Sequence, residues 1–165
     1  LERIKALLYL YSILFYTPTP QSIEEARRLA SILGETDVLE IIGNLGYEGL
    51  LREYTRTFHG GVKAGKCPPY ESFYREGLQF GETSVIVAKL MGSEGFELSV
   101  EGELPDHIAV ELEFASLTLN ESILGRLGEW VPRLHECLKG SSPVYAKLAM
   151  KLVELLNIWA SKSSL

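Results

Sequence analysis

The segment 102–119 constrains the fold of this chain more than any other. Written as a helix at about 100° per residue, it places Ile108, Leu112, Ala115 and Leu119 on one face and Val110, Phe114 and Leu117 almost opposite. A helix with two apolar stripes must be packed on both sides, which puts it at the centre of a helical fold. Leu104-Pro105-Asp106 reads as its start, with Asp106 as the cap: its carboxylate accepts from free backbone N–H groups and is favoured by the helix dipole. Two polar seams separate the stripes, His107, Glu111 and Thr118 in one and Glu113, Ser116 and Asn120 in the other. Carboxylates between packed faces are costly unless they are partnered, so Glu111 is expected to hold the fold through a buried neighbour.

The remaining segments predict further helices. Ile4, Leu7, Leu8, Tyr11, Leu14 and Phe15 share a face of an opening helix that stops at Thr17-Pro18-Thr19-Pro20. Ser22 to Glu25 has capping-box spacing and starts a second helix, ended by Gly34. A short helix over 37–42 breaks at Gly43, Asn44 and Gly46, and Tyr47, Leu50, Leu51, Tyr54 and Phe58 form the seam of the next. The connection 59–70 is rich in glycine, and the aromatics Tyr70, Phe73, Tyr74 and Phe80 follow as core plugs or as the wall of a groove. A helix begins near Glu82, with the acidic link 96–103 as candidate hinge, where helices would cross if two protomers exchanged them. After the central helix Gly125 and Gly128 interrupt, Pro132 sits in the first turn of a helix, and Val144, Leu148, Leu152, Leu155 and Trp159 line the last one. The expectation is an all-α fold: one domain over 1–165, with about seven helices around a central helix starting near Asp106.

Composition narrows the function. With 165 residues, 46% of them hydrophobic, the chain can bury a substantial core. It contains no apolar span of membrane length and no basic-then-apolar leader at its start. A net charge of −6 argues against nucleic-acid binding. Cys67 and Cys137 lie far apart without CxxC spacing, which fits a reducing cytoplasm better than a disulfide scaffold and leaves a single disulfide as the alternative. His107 and Glu111 are i and i+4, but two ligands do not make a metal site. GxSxG, GxGxxG and P-loop spacing are all absent, so no catalytic residue, cofactor or metal is assigned.

Read without any relative, Asp106, His107, Glu111 and the aromatics 70–74 describe a helix cap, a satisfied seam and a core. The motifs add a second reading. Leu104-Pro-Asp-His-Ile-Ala-Val-Glu-Leu-Glu-Phe114 resembles the PDHxxxELEFM signature of the TorD/DmsD/NarJ family, departing at Ala115 where the family often has Met. Glu53-Tyr-Thr-Arg-Thr-Phe58 followed by Cys67-Pro-Pro-Tyr-Glu-Ser-Phe-Tyr74 is similar to its EYxRLF and CPPYESxY block, and Trp130-Val131-Pro132 with Leu134 to its WxPxF segment. The resemblance implies an all-helical cytoplasmic chaperone, monomeric or helix-exchanged, that binds the twin-arginine signal peptide or the apo catalytic subunit of a molybdopterin oxidoreductase before export. It implies peptide-binding roles for Tyr70, Ser72, Tyr74, Pro105, Asp106 and His107. A NarJ-like chaperone of a non-exported subunit, an unrelated helical adaptor and a nucleotide-dependent protein remain as alternatives.

Overall fold

The computed structural model describes residues 1–59, 67–98 and 102–163. Eight helices lie among them: α1 (Glu2–Leu14), α2 (Pro20–Leu33), α3 (Thr36–Phe58), α4 (Glu71–Glu76), α5 (Glu82–Ser93), α6 (Ile108–Thr118), α7 (Glu121–Lys139) and α8 (Pro143–Ser163). No strand occurs among the described residues; Tyr70 and His107 form an isolated antiparallel bridge. The candidate hinge and the glycine-rich connection fall partly outside the description, at 99–101 and 60–66.

The two-striped segment is the central helix, α6, packed chiefly against α1. Ile108, Leu112, Phe114 and Ala115 are fully buried, whereas Leu117, expected to be packed, is 61% exposed. It occupies the last turn, just before Leu119 ends the helix in the left-handed region at φ 50°. Burying a side chain such as Phe114 or Leu112 contributes about 2 kcal/mol, so the buried positions of α6 make it a main source of stability. Phe15, Tyr54, Phe58 and Tyr145 form an aromatic cluster, with Tyr54–Phe58 centroids 4.7 Å apart and Phe58–Tyr145 centroids 5.0 Å apart. The EYxRxF-like block therefore serves packing: Tyr54 also donates its hydroxyl to the Phe15 carbonyl at 3.1 Å.

Four local expectations are corrected. The capping box of α2 lies three residues earlier than read, with Thr19 as the cap, Pro20 in the first turn and Ser22 as the reciprocal partner. The break at 43–46 is one kink: Gly46 at φ 64° joins two helical pieces of α3. Gly125 and Gly128 do not interrupt α7, which runs through Pro132 in its interior. The carbonyl that Pro132 leaves without a donor belongs to Gly128, an exposed residue, so water can satisfy it. Finally, Cys67 and Cys137 are not free thiols but a disulfide joining the start of the Pro-Pro-Tyr segment to α7. Sequence separation hides such a pair, because bridging depends on a Cα–Cα distance, here 5.8 Å.

Candidate functional site

Asp106 does not cap its own helix. His107 does, its Nδ1 accepting from the Ala109 N–H at 3.0 Å. The Asp106 carboxylate points the other way: Oδ2 accepts from the Ser72 N–H at 2.8 Å and Oδ1 from the Ser84 hydroxyl at 2.8 Å. Ser72 lies in the first turn of α4, so Asp106 caps a neighbouring helix across 34 residues of sequence. Two backbone bonds complete the seam, Glu71 N–H to the Asp106 carbonyl at 3.0 Å and Ile108 N–H to the Pro69 carbonyl at 2.8 Å. The structure thus brings both resemblance blocks together, joining Tyr70, Ser72, Asp106 and His107 in one unit.

Within that unit the assigned residues differ in access. Ser72 and Asp106 are fully buried and His107 is 2% exposed, while Tyr70, Tyr74 and Pro105 are half-buried. The His107 ring meets Tyr16 and Tyr70 edge-on at 5.3 and 5.0 Å. Burial is the main reason its pKa falls to about 4; Glu103 and Asp106 oppose the shift and the nearby His59 ring adds to it. The imidazole is therefore neutral near pH 7, with Nδ1 the acceptor and Nε2 carrying the proton. Tyr70 donates its hydroxyl to Glu103 Oε1 at 3.0 Å, and Tyr74 stacks on Trp130 at 5.6 Å.

Glu111 lies behind this surface, fully buried, and accepts from the Trp130 indole N–H at 3.1 Å. Burial first, then the negative charge of Glu71, raises its pKa well above the ordinary carboxyl value. Its Oε2 has no donor beside it, and protonation turns that oxygen into a donor toward Glu71. Glu71 itself is ion-paired with Arg75 and with Arg126, the latter at 2.8 Å, and Arg75 reaches Glu129 at 2.8 Å. Sequence reasoning missed this network, although Glu71 and Arg75 stand at helical i, i+4 spacing. No local pattern signals Ser84, which meets Asp106 only through the fold.

Beside the seam the surface is apolar. Phe80, Val85, Ala88, Leu104 and Pro105 line a cavity of about 390 Å³, with Ser84 and Lys89 at its edge. Phe80, read as part of an aromatic core or groove wall, is 74% exposed and held at φ 63°. The exposed side of α5 carries Val85 and Ile86, while its buried side carries Thr83 and Ser84 beside Val87 and Met91. Among the described residues no group of three His, Cys, Asp or Glu is placed to hold a metal ion, and no helix is long and apolar enough to cross a membrane.

The all-helical fold is shared with a solved structure. A crystal structure described as that of a candidate redox enzyme maturation protein from Archaeoglobus fulgidus superposes with a TM-score of 0.84 at 32% identity, over 93% of each chain. The family profile described as nitrate reductase delta subunit matches residues 20–140. The chain belongs to that family, the NarJ/TorD type of chaperone. No curated protein matches it.

Proposed function

We propose that this chain is a cytoplasmic maturation chaperone that binds the twin-arginine leader of a molybdopterin oxidoreductase, holding the apo catalytic subunit until its cofactor is loaded. The observation that carries the reading is the solvent-open apolar groove of Phe80, Val85, Ala88, Leu104 and Pro105, built directly on the seam that contains Asp106 and His107. A bulky side chain held outward in the left-handed region costs on the order of 1 kcal/mol, which a peptide-facing wall explains and a packing role does not. A leader presents an apolar stretch that such a groove covers, and the chain's net charge of −6 suits a basic partner.

The recognition residues divide by access. Tyr70 and Pro105 contact the peptide, Ser72, Asp106 and His107 hold them in register from behind, and Tyr74 fixes α4 against Trp130. Glu111 maintains the fold. No catalytic step is assigned to any of them. The disulfide is compatible with a cytoplasm of the kind found in hyperthermophiles, where intracellular disulfides persist.

The test is calorimetric titration with the twin-arginine leader peptide of a molybdopterin oxidoreductase from the same organism, together with a version in which both arginines are lysine. Saturable binding, micromolar or tighter and lost in the lysine version, is expected. Absence of binding, with retained binding of the catalytic subunit lacking its leader, would replace the reading by that of a chaperone for mature sequence.

A further inference from the structure

A second groove lies on the other side of the same seam. Tyr9, Ile13, Tyr16 and Val110 wall a cavity of about 200 Å³ between α1 and α6, and Glu103 and Glu113 bring carboxylates to it. We propose that this groove seats the guanidinium group of a bound peptide, whose apolar run then crosses Leu104–Pro105 into the groove beside α5. The inference rests on the leader-binding reading for the identity of the peptide.

Three observations carry it. Some exposed carboxylates meet bases on their own helices, as Glu24 meets Arg27 and Glu136 meets Lys139. Glu113 has no such neighbour: the positions three and four away are Ala109, Val110, Ser116 and Leu117, and no described residue forms an ion pair with it. Glu103 likewise forms no ion pair with a described residue; it accepts from Tyr70 and the Leu104 N–H on Oε1, and the Tyr16 hydroxyl is bonded to it as well. The walls between the acids are two tyrosine rings and aliphatic side chains. Such a site matches a planar guanidinium, which stacks on aromatic faces and forks onto carboxylates, better than a strongly hydrated ammonium. Finally, Glu103 lines this groove while Leu104 and Pro105 line the apolar one, so the two are consecutive along the chain. A ligand whose basic group adjoins an apolar run can therefore occupy both.

The experiment uses a fluorescein-labelled peptide of two adjacent arginines followed by an apolar run, against wild type, Glu113→Gln and Glu113→Lys. Glu113 is exposed and without a partner, so both variants should fold, which circular dichroism verifies. About tenfold weaker binding for the Gln variant, more for the Lys variant, and weaker binding of a lysine version of the peptide are expected. Unchanged affinity in both variants overturns the inference while leaving leader binding intact. If wild type ignores the peptide, the leader reading fails. The groove is then judged by NMR titration with N-acetyl-arginine amide: shifts at Tyr9, Tyr16 and Val110 that Glu113→Lys abolishes uphold it, and their absence overturns it. Self-association that Glu113→Lys abolishes, seen by sedimentation, would make a second copy the occupant and overturn it as well.

Discussion

Two buried titratable residues set the response of this protein to pH, in opposite directions. His107 has its folded pKa depressed to about 4 from an ordinary 6.5, so its contribution is fully present above 6.5 and is lost as pH falls toward about 4. Over that window the loss amounts to roughly 3 kcal/mol. His107→Asn keeps an acceptor for the Ala109 N–H and removes the titration. It should lower the melting temperature at pH 7, where the contacts with Tyr16 and Tyr70 are missing, yet show a flatter decline to pH 4.5; an equally steep decline would rule out His107 as the acid-sensitive group. Glu111 has the opposite sign. Its raised folded pKa means that stability is greatest below the ordinary carboxyl value and is lost as pH rises, by at most about 1.4 kcal/mol per unit. Glu111→Gln should therefore match wild type near pH 5 and exceed it increasingly toward pH 8 in urea unfolding. Glu111→Ala strands the Trp130 N–H and opens a cavity, costing about 2–4 kcal/mol near pH 5 and less toward pH 8, where wild type has itself lost stability. A wild-type-to-Gln difference that stays constant with pH would show an ionised Glu111. The alternation of apolar and polar positions in the sequence makes Glu111 legible as a buried seam residue, but its protonation follows from complete burial and then from Glu71, which only folding brings beside it.

At the scale of elements, the six-residue α4 is too short to persist alone, and Asp106 supplies the acceptor for one of its first N–H groups. Asp106→Ala leaves the Ser72 N–H and the Ser84 hydroxyl buried without an acceptor and should cost about 3–5 kcal/mol. Hydrogen exchange should quicken first across 71–76, and peptide affinity should fall with it. Loss of peptide binding with unchanged exchange there would instead make Asp106 a direct contact. This element also marks where local reading stops. An aspartate just before an apolar helix is a cap by every local rule, and the start of α6 was legible for that reason; which helix it caps is decided by Ser72 and Ser84, from other parts of the chain. The same holds for α7, where Pro132 reads as a helix start until the solvent-facing position of Gly128 makes a helix-interior proline tolerable.

At the scale of the molecule, periodicity carried the all-helical architecture and the central place of α6, because both follow from side chains a few residues apart. What it could not carry is the tie between distant parts, and the disulfide is the largest of these. Cys67 and Cys137 are 70 residues apart, and their bond fixes the chain just before Pro69 and Tyr70 to α7. Closing a loop of that size removes about 4 kcal/mol of conformational freedom from the unfolded chain on the entropy model. The segment it anchors bears the Pro69 carbonyl that receives the Ile108 N–H, so the same bond steadies the seam under both grooves. Reduction, or Cys137→Ser, should lower the melting temperature by about 10 °C. It should also weaken leader binding beyond what the lost stability explains, because the start of the segment is then held only by the Tyr70–His107 bridge and by the contacts of α4 that follow it. Titration of thiols in the denatured, unreduced protein gives the decisive control. No reactive thiol is expected, and two thiols per chain with a melting temperature indifferent to reductant would remove the disulfide and return the anchoring of this surface to Asp106 and its two serines.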